Sequence, residues 1–269
     1  EAWRIRPVME LDIYQVAAFT REAFGGNPAA VVPLREWIDA TVMQKIAAEN
    51  NLSETAFIVP AGTSEWEIRW FTPTVEVPLC GHATLASAAV IRTHLGHTDW
   101  PIKLQSASGT LLVDTESDAF VLDLPANKPA PTGLPGGMRE ALGAPISESL
   151  IARDLYLVIL EDESTVAKLD PDFAALRAMI EHGVIVSATG DRVDFVSRFF
   201  APSIGIDEDP VTGAAHCVLT PYWSHRLSKK SLVARQISSR VGNLKCEDLG
   251  ERVKLTGDAG FYLAGRLSV

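Results

Sequence analysis

Two stretches of this chain repeat each other in order, and an internal duplication of this length leaves few architectures open. Pro78-Leu79-Cys80-Gly81-His82-Ala83 and Pro210-Val211-Thr212-Gly213-Ala214-Ala215 each set a glycine turn before an apolar run. Gly213 minus Gly81 is 132 and Gly242 minus Gly109 is 133, so two glycines recur at nearly one offset. Upstream, Trp70-Phe71-Thr72-Pro73-Thr74 is echoed by Phe199-Phe200-Ala201-Pro202-Ser203. Downstream, the phrases that begin at Ser106 and Ser239 carry Gly109 and Gly242, and Val121–Leu124 is matched by Arg252–Leu255. Such a period is too long for a solenoid and suits two small domains. A glycine turn that opens a helix in each half points to an active site between two lobes.

Composition supports that organisation and removes several function classes. A chain of 269 residues with 47% apolar content can bury two modest cores. Its formal charge of −10, without a dense Lys/Arg run, argues against nucleic-acid or polybasic membrane contact. Neither a stretch of membrane-spanning length nor a signal-peptide pattern is present, so the expected setting is cytoplasmic. Cys80, Cys217 and Cys246 match neither a disulfide framework nor a zinc or CxxC pattern and read as free thiols. The chain starts at Glu1 without Met, which reads as N-terminal residues lost or processed, with Glu1 to Pro7 a loose end.

Alternation and breakers then divide the chain. Strands are expected near Leu11–Val16, Ala29–Val32, Thr55–Val59, Trp66–Phe71, Thr110–Thr115 and Ala119–Leu124. Asp39 caps a helix over Ala40–Glu49, and a buried helix runs to Thr93 from a start marked by Gly81 and His82. Asn127–Gly137, rich in proline and glycine, reads as a linker between lobes at residues 8–125 and 138–269. Beyond it come strands near Tyr156–Leu160, Gly183–Ser187 and Val193–Phe200, helices over Phe173–Glu181 and after Thr212, and three terminal strands. Those terminal strands cover Val241–Cys246, Arg252–Thr256 and Gly260–Leu267, and the last is free to return to the first lobe. The expected class is α+β: two pseudo-symmetric lobes, each a mixed or antiparallel sheet around a central helix.

Few residues stand where chemistry needs them. Glu54 falls where a loop becomes an apolar strand, and partial desolvation there would raise its pKa toward neutrality. Read locally, it serves equally as a turn-bonding glutamate. His82 follows Gly81 at a helix start, where it can exchange a proton or simply be a satisfied structural histidine. Asp209, last of the acids before Pro210, can orient His82 or a substrate ammonium; a metal reading of Asp207–Asp209 lacks a second acidic motif. Gly81 and Gly213 would allow close backbone approach, with N–H groups from both lobes facing a carboxylate. Ser53 and Cys80 lack an evident base and orienting partner for nucleophilic catalysis. Nucleotide fingerprints are absent, so neither a dinucleotide nor a triphosphate is expected.

Asn51-Leu52-Ser53-Glu54-Thr55, Cys80-Gly81-His82-Ala83-Thr84 and Glu208-Asp209-Pro210-Val211-Thr212-Gly213 together resemble the three signature stretches of the phenazine biosynthesis PhzF-like family. The resemblance spans essentially the whole chain. It implies the diaminopimelate-epimerase-like fold, a cleft active site, a homodimer, and proton-transfer isomerisation without cofactor or metal. The namesake's substrate is trans-2,3-dihydro-3-hydroxyanthranilate. By this resemblance Glu54 removes and returns the proton, His82 and Asp209 position or relay, and Ser53, Cys80, Gly81, Thr212, Gly213 and Ala214 line the substrate. Ala214 stands where the namesake has a serine. Cys80 matches the first catalytic cysteine of the related epimerases, whose second would fall near Gly213 or Ala214. Amino-acid or hydroxy-acid epimerisation, and metabolite or protein binding without turnover, are the competing functions.

Overall fold

The computed structural model describes residues 9–269; the expected loose end at Glu1 to Pro7 lies outside the described residues. The first half runs β1 (Glu10–Ala18), β2 (Asn27–Pro33), α1 (Ala40–Asn50), β3 (Glu54–Pro60), β4 (Glu65–Phe71), β5 (Glu76–Val77), α2 (Gly81–Thr93), β6 (Ile102–Ser106), β7 (Gly109–Glu116) and β8 (Ala119–Pro125). After it come β9 (Ala130–Pro131), α3 (Met138–Leu142), β10 (Glu148–Ala152), β11 (Leu155–Ile159), α4 (Glu163–Ala167), α5 (Phe173–Met179), β12 (Gly183–Thr189) and β13 (Phe195–Ala201). The chain closes with β14 (Ile206–Asp209), α6 (Gly213–Leu227), β15 (Ser231–Gln236), β16 (Gly242–Asp248), β17 (Arg252–Gly257) and β18 (Ala259–Ser268). The fold is α+β.

The ladders of the two halves follow one pattern. β1 pairs antiparallel with β2, which runs parallel to β3; β3 is antiparallel to β4, β4 parallel to β6, and β6–β7–β8 is an antiparallel meander. β10, β11, β12, β13, β15, β16 and β17 repeat that succession of directions strand for strand. The final strands of the two meanders, β8 and β17, pair antiparallel from Arg252↔Pro125 to Gly257↔Phe120 and join the halves through backbone hydrogen bonds. Two strands then cross over: β9 pairs with β10, and β18 with β1.

Asn127–Gly137 is therefore no free linker, since part of it is a strand of the second half. Asn127 is anchored as well. Pro221 sits inside α6 and has no N–H for the carbonyl of Cys217, four residues earlier, and the backbone N–H of Asn127 donates to that carbonyl at 3.0 Å.

Both central helices are apolar around most of their circumference, the pattern of a helix enclosed on all sides. In α2 every residue from His82 to Ile91 is buried, and in α6 most residues from Gly213 to Ser224 are. Because α2 touches β1, β2 and β3 as well as β8, strands from opposite ends of its half surround it. Leu85 is fully buried in that core, and truncation to Ala would cost about 2–5 kcal/mol. The expected strands and main helices are present within a few residues, and Asp39 caps α1 by accepting from the Thr41 N–H at 2.7 Å. β6, β10, β15, the short strands β5, β9 and β14 and the short helices α3 and α4 were not expected. β15 shows why: Ser231–Gln236 alternates exposed and buried residues but includes Arg235 and Gln236, which weaken the apolar signal. Among the described residues no helix is long and apolar enough to cross a membrane.

Candidate active site

The starts of α2 and α6 meet across the seam. A Cβ built on Gly81 would lie 3.8 Å from the Cα of Gly213, and the reverse distance is the same. That separation is ordinary van der Waals contact, and neither glycine has a left-handed φ. No tight turn requires these glycines; what their missing side chains allow is the expected close approach of two helix N-termini.

Helix α2 presents His82 and its N-cap Cys80 beside Glu54, the first residue of β3. His82 Nε2 lies 3.0 Å from Glu54 Oε2, and both side chains are largely buried. The N–H direction is off the line of a good hydrogen bond, so Oε2 is a buried oxygen without a hydrogen-bond partner. Cys80 Sγ is 3.5 Å from His82 Nδ1. Ligand atoms of Glu54, Cys80 and His82 all lie within 4.8 Å of one another. For these three to hold a soft cation the thiol must ionise, and burial followed by the Glu54 charge pushes the Cys80 thiol up, against that use.

Asn27, at the start of β2, ties this group to the second half. Its Nδ2 lies 2.8 Å from Asp209 Oδ1, 2.9 Å from the Val211 carbonyl and 3.2 Å from His82 Nδ1. An amide has two N–H groups, and the two shorter contacts take them. His82 Nδ1 is thus free to carry a proton toward Cys80. Asn27 thus binds Asp209 and packs against His82, a juxtaposition the sequence did not disclose. The other oxygen of Asp209 accepts from the Thr212 hydroxyl, and Gln236 binds the Asp209 carbonyl at 2.7 Å and the Thr212 N–H at 2.8 Å. Arg240 holds the loop before Asn27 by donating to the carbonyls of Gly26 and Gly25, each at 2.8 Å. Asn27, Gln236 and Arg240 have no local motif, and their roles come from partners more than twenty residues away.

Two carboxyl groups are pushed in opposite directions. Burial raises Glu54, but the close charge of His82, with help from Cys80, more than offsets it and leaves Glu54 below its ordinary value. This corrects the expectation of a raised Glu54. Burial likewise opposes charge on His82, yet Cys80 and Glu54 outweigh it and hold the imidazole well above its usual value. The α2 N-terminus resists a cation by about 0.3–2 kcal/mol, whereas opposite charges 4 Å apart attract by roughly 4 kcal/mol at an intermediate dielectric. The ion pair wins. Asp209 is the carboxyl moved upward, to about 6, because burial exceeds the relief from His82, Thr212 and Asn27.

The remaining expected residues divide. Asp207 and Glu208 are engaged elsewhere, with Arg177 at 3.3 Å and Arg198 at 2.7 Å. Thr212 is the N-cap of α6 as Cys80 is of α2, so the second-half match of Cys80 is Thr212 rather than Gly213 or Ala214. Ala214 is exposed beside the contact, and Ser53 is half-buried in the bend before Glu54, outside the hydrogen-bonded group.

Known proteins resemble this chain over nearly its whole length. The family described as "Phenazine biosynthesis-like protein" matches residues 16–265. An uncharacterized isomerase of Pseudomonas aeruginosa is 49% identical over 96% of this chain and 99% of its own. The crystal structure of a phenazine biosynthesis protein of the PhzF family from Enterococcus faecalis superposes with a TM-score of 0.94 at 45% identity, covering 97% of this chain and 100% of that one. A predicted epimerase from Pseudomonas aeruginosa shares the fold at 19% identity, with a TM-score of 0.71 over 96% of this chain and 99% of that one.

Proposed function

The chain belongs to the phenazine biosynthesis-like family, and we propose that it is a cofactor-independent isomerase that moves a proton within a small carboxylated metabolite. In this reading residues 8–125 and 138–269 are pseudo-symmetric lobes, and the reaction takes place where α2 and α6 meet. The observation that carries it is the buried, unsatisfied Oε2 of Glu54, 3.0 Å from His82 Nε2, with a carboxyl of raised pKa, Asp209, held nearby by Asn27. Sites whose carboxyl environments diverge in this way separate a base from an acid.

Glu54, kept as carboxylate, accepts a proton from carbon at Oε2. His82 holds that oxygen in place and neutralises it before the reaction. The N–H groups that open α2 and α6 stabilise the charge left on the substrate as the proton departs. Glu54 then returns the proton to a second carbon, and Asp209, held by Asn27 and Thr212, sets a second carboxyl near His82. Asn27 Oδ1 is also buried without a partner, an acceptor suited to a hydroxyl or ammonium on the substrate. Cys80, Gly81, Thr212, Gly213, Ala214 and Ser53 complete the substrate-contacting set. Epimerisation by two opposed thiols is disfavoured, because Thr212 stands opposite Cys80 and its hydroxyl is given to Asp209.

Three free, buried cysteines suit a reducing cytoplasm. A homodimer is the assembly in this reading: among the described residues β18 pairs only with β1, and it exposes Phe261, Tyr262 and Leu263.

Proton NMR in deuterated water tests the reaction, with trans-2,3-dihydro-3-hydroxyanthranilate and small amino and hydroxy acids as compounds. Isomerisation or deuterium uptake by the wild type that is lost in Glu54→Gln is the expected result. Uptake that persists in that variant would remove Glu54 from its role, and no change in any compound would leave the binding-protein alternative in its place.

A further inference from the structure

The contact between the two helix starts also walls a cavity of about 250 Å³. Leu79, Leu124, Pro125, Leu155 and Ala214 make most of its lining apolar, and Gly81 borders it one residue from His82. Small-molecule sites have this character, an apolar body with a few polar groups that fix orientation. Here the polar residues are Asn127, Asp154 and Arg153. The backbone of Asn127 is committed to Cys217, and Asp154 Oδ2 lies 3.2 Å from His182 Nδ1.

Arg153 is the cation of the lining: it is exposed, and among the described residues its guanidinium, like those of Arg35, Arg139, Arg192, Arg235 and Arg240, has no carboxylate within ion-pairing distance. Its backbone is left-handed. Arg153 occupies the two-residue turn between β10 and β11, closed by the Ala152↔Leu155 pair, with φ at +54°. Glycine, asparagine or aspartate adopts that left-handed conformation at lower cost. The turn therefore accepts backbone strain to keep a cation at the rim of an apolar cavity, and strain of this kind concentrates at functional positions.

We infer that Arg153 receives the carboxylate of the substrate, with the cavity enclosing its carbon skeleton and delivering the reacting carbon to the Gly81–Gly213 contact. A planar guanidinium can take both carboxylate oxygens at once, which fixes orientation as well as charge. The inference rests on the isomerase reading for what becomes of the bound molecule, though not for its binding. It narrows the substrate class to small carboxylates whose acid group is separated from the reacting carbon by an apolar body.

Binding is measured by NMR titration of wild type, Arg153→Gln, Arg153→Lys and Arg153→Gly with benzoate, anthranilate and cyclohexanecarboxylate, each beside its uncharged amide. The expected result is that the wild type binds at least one carboxylate about tenfold or more tightly than its amide. Gln and Gly variants lose that preference, Lys retains part of it, and the Gly variant melts no lower than the wild type because its turn is relaxed. A turn with a structural role alone would not separate binding from stability in that way. A preference that survives in Arg153→Gln, or a wild type that favours none of the three carboxylates, overturns the inference. The isomerase reading fails separately: Arg153-dependent binding without exchange of carbon-bound protons in any compound would remove turnover and leave the carboxylate site standing.

Discussion

The start of α2 and the start of α6 have the same backbone plan and opposite chemistry. Each helix begins at a glycine preceded by an extended N-cap whose side chain makes no capping bond, Cys80 in one and Thr212 in the other. His82 follows the first glycine and Ala214 the second. The strand beneath α2 opens with Glu54 in register with Ala29, while its counterpart opens with Gly183 in register with Leu155. A side chain at Gly183 has no room, because its Cβ would lie 2.5 Å from the ring of Phe199. One half thus carries an under-bonded carboxylate and a charged imidazole. The other binds its acid to a hydroxyl and an amide. One succession of strands and helix occurs twice, and side-chain differences confine the glutamate and histidine to one half.

That asymmetry is broken most severely at Glu54. Glu54→Gln is expected to lower the exchange rate about 100-fold to 10,000-fold, the usual contribution of a positioned general base. Gly183→Ala, on the mirror position, should leave the rate unchanged, and deuterium uptake by NMR compares the two.

The next largest effect is on stability as pH changes. Asp209 is raised from 3.8 to about 6, so its stabilising share is complete below pH 4 and is lost as pH rises to 6. His216, fully buried on α6, is pushed down from 6.5 to about 4 by burial, partly offset by the Thr212 carbonyl, so its share is present above pH 6.5 and is lost as pH falls to 4. Each swing amounts to about 3 kcal/mol at 1.36 kcal/mol per pK unit, and the two oppose each other. Urea unfolding of the wild type should be nearly flat between pH 4 and 6. Asp209→Asn should gain stability with rising pH over that range, and His216→Asn should lose it. Parallel profiles for the two variants would contradict this balance.

Gly183→Ala is expected to cost about 1–3 kcal/mol by overpacking against Phe199, read from the same unfolding curves. The smallest change in stability belongs to Gly81→Ala, where the new methyl meets Gly213 at ordinary contact distance. It should shift stability by no more than about 0.5 kcal/mol while weakening carboxylate binding about tenfold, because the methyl enters the space between the helices.

Much of the fold was legible, and some of the site. The repeated phrases marked both central helices and most of the strands that enclose them, because turn glycines and apolar runs are local signals. β6 and β15, each parallel to a middle strand of its half, were not, since their alternation is diluted by Lys103 and Gln105 or by Arg235 and Gln236. At the site, Glu54, His82 and Asp209 stood out by residue type and position. Asn27 did not, although it bonds Asp209 across 182 positions of sequence. The direction of the Glu54 shift was also illegible, because it depends on how near His82 comes.

By itself the sequence determined an α+β chain with repeated phrases, two glycine-led helices and one distinctive set of acid, imidazole and thiol. Those properties reside in short runs of residues, where periodicity and turn chemistry operate. Tertiary structure alone decided that the two glycines face each other, that Asn27 bridges the halves, that Pro221 leaves a carbonyl for Asn127, and which carboxyl is pushed down and which up. Each of these depends on contacts and on exclusion of water between segments far apart in the chain, and a charge's environment exists only once those segments have closed around it.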